Sequence, residues 1–142
     1  MQRQEYLSLL IFLSSTIYYV YLIDPFKWKP IRRNYKKLLT DPTYFRLNLG
    51  IAILFCAVGM ISILLRHDKH GSEAFTMSPL LFILLVKAAN WYSRKYYNRD
   101  FLLILRGDVI KTAFFNTLSS ILVLVLSLAL SGITVFFIES RY

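Results

Sequence analysis

Residues Leu47–Leu65 read LNLGIAILFCAVGMISILL, 19 positions without a formal charge. As a helix rising 1.5 Å per residue this stretch is about 28 Å long, close to the roughly 30 Å of a bilayer's hydrocarbon core. A soluble core helix has no need of such a run. Three others flank it. Tyr6–Ile23 is uncharged, Phe75–Tyr92 carries Lys87 alone, and Ala113–Ile138 is again uncharged. Tyr6–Ile23 is longer than a signal-peptide core, and Ile-Asp-Pro-Phe follows it where a small-residue cleavage site would stand, so it reads as a retained helix.

Hydrophobic residues make up 56% of the 142, against about 45–50% in a soluble domain. The expected fold is an all-α integral membrane protein, one polytopic domain over residues 1–142. Its four transmembrane helices (6–23, 47–65, 75–92, 113–138) form two antiparallel hairpins, with a short interfacial helix and a helical cytoplasmic extension. The single cysteine, Cys56, excludes an internal disulfide.

Charge sets the expected orientation. The connection 24–46 has seven Lys or Arg against two Asp, net +5, and the connection 93–112 has five against two, net +3. The N-terminal, middle and C-terminal segments each balance to zero, and Lys87 completes the net +9. Four spans put both basic connections on one side, and the positive-inside rule makes that side cytoplasmic, or the matrix of an organelle. Both termini then lie outside, in a bacterial inner membrane or an organelle inner membrane. A three-span arrangement would separate the two basic connections, and the same rule rejects it.

The densest basic stretch is Phe26–Lys37, FKWKPIRRNYKK. Ile31, Tyr35, Leu38 and Leu39 recur at helical spacing, which predicts a short helix on the membrane surface. Lys27, Trp28, Lys29, Arg32, Arg33, Lys36 and Lys37 are its candidate contacts with anionic headgroups or a partner. Each basic residue there contributes on the order of 1 kcal/mol. Nucleic acid ranks far below lipid, because no recognition fold is visible. In the second connection, Arg106 before Gly107 resembles a helix end and Asp108 an N-cap. This predicts one helix from Ser78 or Pro79 to about Arg106 and another from Val109, with a β-hairpin across Arg-Gly-Asp as the alternative.

Small and weakly polar residues share faces. Thr117, Ser120, Ser127, Ser131 and Thr134 fall on one arc of the last helix. Asn48, Ala52, Cys56, Gly59 and Ser62 fall on one arc of the second. Such faces serve close helix packing, within a chain or between subunits, or the lining of a pore. Lys87, Asn90 and Arg94 mark an intramembrane charged face, which is either functional or snorkels to the interface. His67, His70 and Glu73 are weak metal candidates, because Gly71-Ser72 interrupts their spacing. No nucleophile motif, phosphate loop or cofactor motif is present, so neither a catalytic nor a cofactor site is expected. The leading expectation is a non-enzymatic structural or interaction subunit of a homo-oligomer or larger membrane complex. A small channel or pore-forming effector, a membrane immunity or regulatory protein and, last, a membrane enzyme are the alternatives.

Overall fold

The computed structural model describes residues 2–27, 33–66, 72–103 and 114–141. Its elements are α1 (Gln2–Ile23), α2 (Asn34–Thr40), α3 (Pro42–Arg66), a 3-10 helix (Ser72–Met77), α4 (Ser78–Tyr97) and α5 (Phe114–Arg141). No strand occurs among the described residues. Among the described residues four segments are long and apolar enough to cross a membrane: Glu5–Ile23, Pro42–Leu65, Ala74–Tyr97 and Leu118–Arg141.

Local chemistry sets the boundaries. Asp24 ends α1 in the left-handed region (φ 52°), its N–H donating to the Val20 carbonyl at 2.8 Å. Its carboxylate meets Lys27 Nζ at 2.8 Å. α3 begins five residues before the charge-free run that predicted it. Asp41 Oδ1 accepts the N–H groups of Thr43 (2.9 Å) and Tyr44 (3.2 Å), and Pro42 opens the helix with its fixed φ. Arg46 therefore lies inside the helix, on its exposed side.

α4 starts at Ser78 with Pro79 in its first turn, as expected, but it does not run to Arg106. It stops at Tyr97, where Asn98 takes φ 54°, and the chain continues without helix through Leu103. The expected helical extension is absent at these positions, because an αL residue at C′ releases the chain from the helix. The Arg106–Asp108 turn and the start expected at Val109 lie outside the described residues.

The core gathers Tyr19 and Leu22 of α1, Leu38 of α2, Ala52 of α3, Phe82 and Val86 of α4, Val123 of α5, and Phe101 and Leu103. α4 packs along α5. α1 meets the 3-10 helix and α4 more closely than it meets α3. Residues 33–36 touch residues 100–103, so parts of both basic connections share one end of the bundle. At the other end Phe75 sets its ring edge-on to Phe12, centroids 5.8 Å apart.

Between these ends the helices are joined by hydroxyls. Tyr19 Oη and Ser127 Oγ are 2.6 Å apart, and Ser78 Oγ and Ser131 Oγ 2.9 Å. Tyr18 Oη donates to Asn48 Oδ1 at 2.9 Å. We expect Ser127→Leu, at a site with no solvent exposure, to destabilise the fold by about 1–3 kcal/mol through overpacking. Tyr19→Phe should cost about 0.6 kcal/mol, the typical worth of an interhelical hydrogen bond in a membrane protein. Gly50→Ala should be tolerated, since an added Cβ meets nothing within 4 Å. Reversible unfolding in mixed micelles measures all three. The Ser127 variant should register as unfolding rather than as release of folded protomers.

Candidate functional site

Residues 98–103 leave α4 with backbone groups that no helix satisfies. Side chains from three helices supply the partners. From α4, Asn90 Oδ1 accepts the Phe101 N–H at 3.0 Å and Ser93 Oγ donates to the Arg99 carbonyl at 2.9 Å. From α5, Ser120 Oγ donates to the Leu102 carbonyl at 3.2 Å. From the basic stretch, Tyr35 Oη accepts the Leu103 N–H at 2.9 Å, Arg33 donates to the Leu103 carbonyl at 3.2 Å, and Lys36 Nζ lies 3.4 Å from the Phe101 carbonyl.

Two of these groups are buried cations. Arg33 is 2% exposed, and its Nε also donates to the Lys27 carbonyl at 3.1 Å. Lys36 is 9% exposed, with Asp100 as its ion-pair partner at 3.7 Å. Asp100 is held more closely by Arg94 Nε, at 2.7 Å. Burial lowers the Lys36 ammonium below its usual range, although Asp100 opposes the shift. The hydrogen bond from Arg94, with Lys36 adding its charge, lowers the Asp100 carboxyl.

The short helix expected here is present as α2, and two of its expected headgroup contacts, Arg33 and Lys36, are buried. Tyr35 and Leu38 are in the core, and Arg33 and Lys36 face inward because loop carbonyls await them there. Lys37 remains exposed, 5.8 Å from the Tyr44 ring centroid, and Lys27 is exposed beside Asp24. Trp28, Lys29 and Arg32 lie outside the described residues.

The small-residue faces turn into the chain itself. Ser120, Ser127 and Ser131 have no exposure, and Asn48 and Ala52 are buried, as is Gly59. Cys56, Ser62 and Thr134 are partly buried. The Thr117 side chain lies outside the described residues. The Lys87–Asn90–Arg94 face is divided. Lys87 is exposed, its Nζ 4.6 Å from the Phe45 ring centroid, level with the first turns of α3 rather than in the bundle interior. Asn90 is buried under Phe101, and Arg94 is exposed on Asp100. His67 and His70, with the Glu73 side chain, fall outside the described residues, among which no cluster of metal-ligating side chains occurs.

Sequence reading missed a cleft of about 910 Å3 between α4 and α5. Leu85, Ala88, Ala89, Trp91 and Tyr92 form one wall, Leu118, Ser119, Leu122, Val123 and Leu126 the other, and Tyr97 and Arg99 the rim. A smaller apolar groove of about 260 Å3 separates α1 from α3. Neither could be read from hydropathy, which records that a face is apolar but not how far apart two helices stand. No protein-family model matches the chain, and no curated protein or solved structure matches it.

The pH dependence of the basic end follows from the two shifts. A carboxylate lowered on folding stabilises above its unfolded value, 3.8, and loses that contribution as pH falls through the folded value. Stability should therefore drop more steeply below about pH 4 in the native chain than in Asp100→Asn. Lys36 acts in the opposite range. Its lowered ammonium is a penalty at neutral pH that lifts as pH climbs through the folded value toward 10.5. Tyr35→Phe removes the acceptor of the buried Leu103 N–H and should cost about 1–3 kcal/mol. Hydrogen exchange at Phe101 and Leu103 reads each effect where it arises.

Proposed function

We propose that the chain is a non-catalytic membrane subunit that works by binding at its outer, lipid-facing surface. It lies in a bacterial inner membrane or an organelle inner membrane as two helical hairpins, both termini outside and the basic connections on the cytoplasmic or matrix side. Its partners are anionic lipid and other membrane subunits, including further copies of itself.

The observation that carries this reading is the use made of the polar side chains. A water-filled path needs hydroxyls and amides that face an opening. Tyr19 with Ser127, Ser78 with Ser131, and Tyr18 with Asn48 are hydrogen-bonded to one another instead. The outer faces, by contrast, are broad and apolar. Ile17 is 69% exposed, Leu65 77% and Phe136 69%. In a bilayer such faces meet lipid or another helix. A partner helix has the α1–α3 groove and the outer face of α5 to use, because the small-residue faces are occupied within the chain.

The purified protein in liposomes should give no ion flux above that of empty vesicles, and in mild detergent it should run above its 16.7 kDa chain mass after correction for bound detergent. Steady conductance would replace this reading with the channel one. Orientation is checked on a Cys56→Ala background. A cysteine at Phe26 should label only from the cytoplasmic or matrix side and one at Ser140 only from the other. Labelling of both from one side would overturn the four-span arrangement.

A further inference from the structure

The α4–α5 cleft has one closed end and one open end. Ser78 and Ser131 hold the helices together at 2.9 Å near the 3-10 helix. Toward the basic end the gap widens between Leu85, Ala88 and Trp91 on one side and Leu118, Leu122 and Leu126 on the other. Trp91 is 60% exposed and Leu122 48%, so the cleft opens on the outside of the bundle. From Leu85 to Tyr97 the helical rise is about 18 Å, close to the roughly 15 Å of one leaflet's hydrocarbon. A transmembrane helix would need a groove about twice as long. The volume suits a ligand of a few tens of atoms.

The rim is cationic and aromatic. Arg99 carries its guanidinium 5.5 Å from the Tyr97 ring centroid, and Lys95 Nζ is 4.8 Å from that of Trp91. Basic pockets between membrane helices at a cytoplasmic or matrix face favour anionic headgroups. We propose that this cleft holds the acyl chain of an anionic glycerophospholipid from the leaflet at the basic end, with its phosphate beside Arg99. The hydrocarbon fills the gap between α4 and α5. The charge selects the lipid class.

The assignment rests on the bilayer placement proposed above, but not on the absence of a pore. Ion flux with intact lipid retention would therefore fail that reading alone. The test is native mass spectrometry of the full chain, released from micelles containing equal amounts of phosphatidylglycerol and phosphatidylcholine with matched chains. The native chain should retain phosphatidylglycerol about five-fold over phosphatidylcholine, and Arg99→Gln should bring the ratio near one. Arg99→Lys should restore most of it. Ala88→Trp, a bulky residue at an exposed position in the cleft, should reduce retention of both lipids without lowering the unfolding midpoint. Arg46→Gln, an exposed cation of α3 outside the cleft, should change nothing. Equal retention of the two lipids by the native chain would overturn the proposal. Undiminished retention in Ala88→Trp, or displacement of the lipid by inorganic phosphate, would overturn it equally.

Discussion

Backbone that leaves a helix and is buried must find its hydrogen-bond partners within the protein. Residues 101–103 face that requirement, and the basic end is arranged around it. Asn98 turns the chain out of α4. The next five residues then present amides and carbonyls to Asn90, Ser93, Ser120, Arg33, Tyr35 and Lys36. These partners come from α4, α5, the first turn of α2 and the Arg33 before it. Satisfying one short segment thus fixes the positions of elements far apart in sequence.

Cations are suited to this task because a guanidinium or ammonium is donor only. Arg33 reaches carbonyls on both sides, Lys27 before it and Leu103 across from it. A buried charge without such partners would be strongly destabilising. Lys36 has acceptors at 3.4 and 3.7 Å, and burial lowers its ammonium despite the opposing pull of Asp100. The two basic residues thus divide the work. Arg33 closes the contact and Lys36 tunes it, through an Asp100 that Arg94 already holds.

The four helices long and apolar enough to cross a membrane were legible because their signal is carried by hydropathy and length. Their boundaries were less so. Arg46 hid the first turn of α3 from a rule based on charge, although Asp41-Pro42 already spelled an N-cap followed by a proline at the first helical position. Asn98 likewise stood in the sequence as a residue tolerant of positive φ, but Arg106-Gly107 offered a more familiar ending farther on. The inward turn of Arg33 and Lys36 left no trace in periodicity, since their charges match an exposed face as well as a buried one. Only the position of the 98–103 carbonyls distinguishes the two. Asn48 and Ala52 of α3 and Ser120, Ser127 and Ser131 of α5 stood on arcs that spacing picks out, and all five are buried. What spacing could not reveal is that Asn48, Ser120, Ser127 and Ser131 find hydrogen-bond partners in the same chain.

The α4–α5 pair shows how side-chain size along two helices can set the shape between them. Near the 3-10 helix Ser78 and Ser131 are small enough for direct hydroxyl contact. Small residues allow close approach, and a hydrogen bond then holds it. Nearer the basic end, α4 carries Trp91 and Tyr92 where α5 carries Leu118 and Leu122. Their partly exposed side chains border the gap without filling it. Beyond it, the chain is drawn away from α4 toward Arg33 and Tyr35. Ser120 binds the Leu102 carbonyl, so the early part of α5 is tied to the released loop as well as to its helical neighbour. The satisfaction of loose backbone that locks the basic end thus lies directly beside the cleft, which opens on the outside of the bundle.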